Sequence, residues 1–231
     1  NNFKSLKIEF DKYLSSRGPY EFQPFSDIKI FETHVRDKIK CLLLISSWHY
    51  NNIYRDYSLK PVLVGGRDGK FWQKRILVGG NNARSLKKGR LASASSIQHT
   101  KNVLREMLKE KEKAETANIL TVPKDIDALM SVGFGMSQFA LTTGNTLKKL
   151  KALNPYLYKD IKVLAESKKS LLLILAVPEN FVKDSGKLIK IIQSMSKDPD
   201  GKDKLRMLGL DDWRKFDLSD VLILEKGSPG Q

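Results

Sequence analysis

The chain has 231 residues, 41% hydrophobic and 29% charged, and its 41 Lys and Arg against 26 Asp and Glu give a formal charge of +15. Its longest apolar runs, at residues 41–45 and 171–177, fall far short of the ~20 residues that cross a bilayer and read as buried strands. Excess positive charge favours an anionic partner. The basic residues are spread along the chain, with no RNP-type aromatic motif and no zinc-finger spacing, so a small anion needs fewer assumptions than nucleic acid.

The single cysteine, Cys41, excludes an intrachain disulfide, and opening an apolar run it reads as a buried thiol. Three histidines, His34, His49 and His99, share no metal-ligand spacing. No GxSxG elbow, Walker loop or dinucleotide fingerprint is present, so neither catalysis nor a cofactor is expected.

In chain order, apolar residues at helical spacing predict a helix from Asn2 to Ser16, stopped by "RGP". A short strand, "YEFQPF", precedes a helix capped at Ser26 or Asp27 and running through Ile39. "CLLLIS" reads as a strand and "SWHYNNIYRDY" as a helix. "KPVLVGG" and "KFWQKRILVGG" are strands joined by the turn "GRDG". After a connection with a short helix, "RLASAS" is a strand and residues 98–113 a strong helix. "NILTV", "FGMSQFALTT", "IKVLAES" and "SLLLILAVP" read as strands. "PKDIDALMSV", "GNTLKKLKAL", "GKLIKIIQSMSK" and "GKDKLRMLG" read as helices, and a polar tail follows. Such alternation predicts an α/β protein with mostly parallel sheets.

Two units repeat the order helix, strand, hydroxyl pair, helix, which puts Ser46-Ser47 and Thr142-Thr143 at equivalent strand ends. "SASSIQHT" adds Ser93, Ser95, Ser96, Gln98, His99 and Thr100 at the start of the strongest helix. Free N–H groups and the macrodipole make a helix start a natural anion site, and short hydroxyls, amides and histidine are the side chains that donate there. The same residues are also standard N-caps. Tyr50, beside Trp48 and His49, either donates at such a site or packs the first turn of its helix.

Several segments together resemble the substrate-binding proteins of phosphate, phosphite and phosphonate ABC transporters. These are "FKSLKIEFDKYLSSRG", "KIKCLLLISSWHY", "SLKKGRLASASSIQHTKNVLREML", "IDALMSVGFGMSQFALTT", "KVLAES" and "DPDGKDKLRMLGLDDWRKFD", the last being the most specific. The resemblance spans nearly the whole chain. It implies a two-lobed periplasmic-binding-protein-like (type II) fold, each lobe a mostly parallel sheet flanked by helices. Lobe 1 would hold residues 1–78 and 171–231 and lobe 2 residues 79–170, with the ligand cleft between them.

Gln98, His99, Thr100 and Lys101 occupy the family's Ser-Thr-Ser-Gly anion-loop positions, where only Thr100 keeps a hydroxyl. Thr142 or Thr143 stands where the family often carries a carboxylate. The implied ligand set is Ser46, Ser47, Tyr50, Gln98, His99, Thr100, Thr142 and Thr143, with no metal. The implied role is a periplasmic or extracytoplasmic monomer that captures a small oxyanion for a membrane permease. A sensory or regulatory ligand-binding module on the same fold is the alternative expectation.

Overall fold

The computed structural model describes residues 3–37, 40–108 and 111–226. The chain forms two compact units. Among the described residues, one holds those up to Trp72 and those from Ser170 to Lys226, and the other is Gln73–Lys169.

In the first unit, α1 (Phe3–Ser15) buries Phe10, Tyr13 and Leu14 at helical spacing. The strand expected at 20–25 does not form. Side chains of α1 hold its backbone instead: the Phe22 N–H donates to Asp11 Oδ1 at 2.6 Å, and its carbonyl accepts from Lys7 Nζ at 2.9 Å. The Phe22 ring stacks on Phe10 with centroids 4.6 Å apart. Next comes α2 (Ile28–Asp37), where Asp27 Oδ1 accepts from the Ile30 N–H at 3.0 Å as the expected cap. The expected continuation through Lys38 and Ile39 lies outside the described residues.

The apolar run becomes β1 (Leu43–Ile45), with Cys41 half-buried just before it. Then follow α3 (Ser47–Ile53) and β2 (Leu59–Gly66). In the turn, Arg67 and Lys70 exchange both backbone hydrogen bonds around Asp68 and Gly69, whose φ values are 52° and 70°. Two consecutive left-handed residues suit Asp-Gly and make the reversal tight. Beyond it, β3 (Trp72–Gln73) leads out of the unit.

The second unit contains β4 (Arg75–Gly79), β5 (Arg90–Ser93), α4 (Ile97–Met107), α5 (Lys111–Glu115), β6 (Asn118–Thr121) and α6 (Asp125–Gly133). It continues through β7 (Phe139–Thr143), α7 (Gly144–Leu153), α8 (Pro155–Lys159) and β8 (Lys162–Glu166). Its strands lie in the order β6-β5-β7-β4-β8. β5 runs parallel to β6 and β7, whereas β4 is antiparallel to β7 and β8. One face packs Ile76, Val78, Ala92 and Ala140 with Leu129 of α6 and Leu147 of α7. The other packs Leu77, Leu91 and Leu141 with Val103 and Leu104 of α4.

The chain returns through β9 (Ser170–Leu171), which pairs with β3, and β10 (Leu173–Pro178). It ends with α9 (Gly186–Ser194), α10 (Pro199–Met207), β11 (Asp212–Lys215) and α11 (Leu218–Lys226). The first unit's sheet has the order β1-β10-β2-β11.

Three expectations are corrected. All three ladders of the first sheet are antiparallel and the second sheet is mixed, so neither sheet is mostly parallel. The run 70–80 is not one strand of the first lobe: it breaks after Gln73, and β4 joins the second unit's sheet. The C-terminal stretch is not a polar tail, because Trp213 and Leu224 are buried and β11 pairs with β2. Gly65, opposite Trp213, accommodates that packing: a Cβ there would stand 2.6 Å from Leu210 and 3.2 Å from the Trp213 ring.

Candidate functional site

The second unit gathers five of the eight expected ligand residues at one edge of its sheet. Alternation along the strands puts Arg75, Ser93 and Thr143 on the face that carries Leu77, Leu91 and Leu141, the α4 face. Arg75 lies directly opposite Thr143 in the β4–β7 ladder, and Ser93 opposite Leu141 in the β5–β7 ladder. The N-termini of α4 and α7 therefore sit at the same edge, with Arg75 between strand ends.

At α4 the cap is Ser96, whose Oγ accepts from the His99 N–H at 3.2 Å. Thr100 is fully buried, its hydroxyl 2.8 Å from Ser93 Oγ and 2.9 Å from the Ser96 carbonyl. It builds the loop's shape and presents no donor to solvent. Gln98 is exposed, with its amide 3.4 Å from Asn102 Oδ1. His99 is half-buried and its pKa is lowered to about 4, first by burial and then by the charge of Arg75. At neutral pH it is an uncharged imidazole, with one N–H to donate and one nitrogen to accept.

Sequence reasoning missed Arg75. Its Nη1 donates to both carboxylate oxygens of Asp125, at 2.9 and 3.1 Å, with both side chains largely buried. Asp125 begins α6, where the helix dipole favours its negative charge. The guanidinium makes no further hydrogen bond to a described residue, leaving donors for a planar, multi-oxygen anion. Nothing local in "WQKRIL" marks this arginine; the marker is the long-range pairing with Thr143.

Thr143 caps α7, its Oγ1 accepting from the Thr146 N–H at 3.3 Å. Replacing it with alanine should cost about 1 kcal/mol, the usual worth of a cap, measurable as a lower denaturation midpoint. Thr142 points to the opposite face, with Ile76 and Ala140, and its buried Oγ1 has no hydrogen-bond partner among the described residues.

The three expected residues of the first unit serve its packing. Ser46 caps α3 through the His49 N–H at 3.2 Å. Ser47 is buried and donates to the Leu171 carbonyl at 2.9 Å. Tyr50 donates to the Leu59 carbonyl at 3.2 Å and stacks on Tyr54, and burial raises its pKa to about 12. The Ser47 and Tyr50 hydroxyls are thus spent on backbone carbonyls. His49 instead meets Glu32 Oε1 at 3.1 Å. Among the described residues no group of three His, Cys, Asp or Glu is placed to hold a metal ion, and no helix is long and apolar enough to cross a membrane.

No family model matches the sequence, and no curated protein does. The fold is shared widely. A phosphonate ABC transporter binding component from Pseudomonas aeruginosa superimposes with a TM-score of 0.67 at 14% identity, covering 97% of this chain and 80% of that one. PhnD1 from Prochlorococcus marinus, solved with methylphosphonate, gives 0.63 at 14% identity over 97% and 91%. XAC2383 from Xanthomonas citri, solved with chloride, gives 0.68 at 13% identity over 97% and 91%. At such identities the likeness speaks for architecture alone. The chain has the two-lobed α/β fold of periplasmic binding proteins, and its neighbours in fold include phosphonate-binding components of ABC transporters.

Proposed function

We propose that the chain is an extracytoplasmic solute-binding protein that captures a small oxyanion of the phosphate or phosphonate class and hands it to a membrane permease. One observation carries the reading: a largely buried arginine, Arg75, stands at a sheet edge beside the capped N-terminus of α4. A guanidinium matches the oxygens of such an anion in a planar fork, and the first-turn amides of α4 add N–H donors and partial positive charge. His99, uncharged at neutral pH, adds no second positive charge there. The fold neighbours include one complexed with methylphosphonate, which fits this ligand class.

We read the group set, an arginine beside a helix start, as one for binding rather than chemistry. Ser47, Tyr50 and Thr100 are left out of the donor set because their hydroxyls are engaged. The charge of Arg75 and the positive end of α4 carry the reading.

A thermal-shift panel of phosphate, phosphite, sulfate and methylphosphonate at fixed ionic strength tests the reading. A ligand at ~100 times its dissociation constant stabilises by about 2.7 kcal/mol. For a chain of this size the melting temperature should rise by roughly 5–10 °C. A uniform response to all four, or none to any, contradicts a specific oxyanion site.

A further inference from the structure

The strands of the second unit have a far end, away from Arg75. There Phe139, Gly79 and Lys162 stand opposite one another across β7, β4 and β8. The helices lead to it. α6 starts at Asp125, bonded to Arg75, and α7 starts just after Thr143, so both run away from the candidate site. They end at Gly133 and Leu153, and the chain then enters β7 through residues 134–138 and β8 through α8. A third connection, residues 80–89, leaves β4 at this end and enters β5. Contacts tie the three together. Asn81 Nδ2 donates to Asp160 Oδ1 at 2.8 Å, and the Arg90 N–H donates to Gln138 Oε1 at 2.7 Å. A Cβ on Gly133 would stand 2.8 Å from Leu157 of α8.

These connections display large apolar side chains: Phe134, Met136, Leu153 and Tyr156 are 56–83% exposed. Cations lie among them. Residues 128–165 hold five lysines, Lys148, Lys149, Lys151, Lys159 and Lys162, and a single carboxylate, Asp160. All five lysines are exposed, and none pairs with a carboxylate of the described residues. Lys159 Nζ lies 5.4 Å from the centre of the Tyr156 ring. Arg84, Lys88 and Arg90 are exposed on the third connection. So placed, the apolar groups add little to the core, and the candidate anion site at the other end of the strands does not use them.

We propose that this end of the second unit docks on an anionic lipid bilayer. Its lysines and arginines meet headgroup phosphates, and its four apolar side chains enter the boundary with the acyl chains. Exposed apolar groups set among cations are the combination that such a surface complements on both counts. Charge also suits nucleic acid, but only Phe134 and Tyr156 carry rings that stack on bases, whereas a bilayer takes Met136 and Leu153 as well. Because the two sites lie at opposite ends of the same strands, the inference stands apart from the oxyanion reading.

Co-sedimentation of the full chain with lipid vesicles tests it. Vesicles of phosphatidylglycerol and phosphatidylcholine in equal parts should retain the chain, and pure phosphatidylcholine should not. Replacing Lys151, Lys159 and Lys162 together with glutamine should weaken retention roughly tenfold or more. Removing Lys183, Lys187 and Lys190 of the first unit in the same way should leave it within about twofold, since distant exposed charges are screened. In Phe134→Trp, acyl chains carrying bromine should quench the added indole, which reads insertion directly. All the replaced side chains are exposed, so an unchanged melting temperature is expected throughout. Equal losses in the two lysine variants overturn the proposal, because retention then follows net charge alone. Absence of quenching overturns it too, as does tighter retention by a single-stranded oligonucleotide than by the mixed vesicles.

Discussion

Replacing Arg75 with methionine should weaken oxyanion binding by roughly 10–100-fold, the cost of one lost charge-assisted hydrogen bond at about 1.5–3 kcal/mol. Methionine keeps the length and packing of the aliphatic stem, so the loss isolates the guanidinium. The companion change has the opposite sign. Arg75 now shares its Nη1 with Asp125 at 2.9 and 3.1 Å. In Asp125→Asn the carboxylate no longer competes with the ligand for that charge, and affinity should rise. Isothermal titration of the two variants against the parent chain reads both. If Arg75 acts only as a structural ion-pair partner, both variants will leave affinity alone and lower stability together.

Acidification should destabilise the second unit through His99. Its native pKa is about 4 against an ordinary 6.5. Above pH ~6.5 the imidazole is neutral both folded and unfolded, and the full stability is present. Between about 6.5 and 4 the unfolded chain takes up a proton that the folded one resists, so stability falls with pH and levels off below 4. A shift of this size corresponds to about 3 kcal/mol at most. His99→Asn removes the titrating group, so the difference between parent and variant denaturation midpoints should shrink or reverse as pH falls. Carboxylates held low elsewhere, such as Glu9 and Asp200 beside Lys204, stay in both proteins and cancel in that comparison. Parallel pH profiles for the two proteins would show that His99 is solvated.

Much of the architecture was legible because it follows from local pattern. The apolar runs at β1, β2 and β10, the 3.6-residue spacing of α1 and α4, and the caps at Asp27, Ser96 and Thr143 are all nearest-neighbour physics. Strand direction was not. Whether β10 runs parallel or antiparallel to β2 depends on the route of the chain between them, which periodicity does not encode. β11 was missed for a related reason: "DDWRKFD" looks like solvated loop until β2 supplies its ladder and Leu210 its packing.

The candidate site divides the same way. "SASSIQHT" announced a helix start rich in donors, and the structure puts a capped helix there. Which hydroxyls remain available was invisible, because the acceptors that engage Ser47 and Tyr50 are carbonyls of Leu171 and Leu59, on other strands. Arg75 was invisible for the converse reason. Its neighbours Thr143, Asp125 and His99 are brought to it only by the fold.

The most direct test of the account follows backbone amide and arginine side-chain signals of the ¹⁵N-labelled chain by NMR while methylphosphonate is added at constant ionic strength. A saturable response centred on the amides of Ile97–Thr100 and on Arg75 is the predicted result. Unchanged spectra, or weak unsaturable shifts scattered over exposed lysines, would contradict an oxyanion site at this sheet edge.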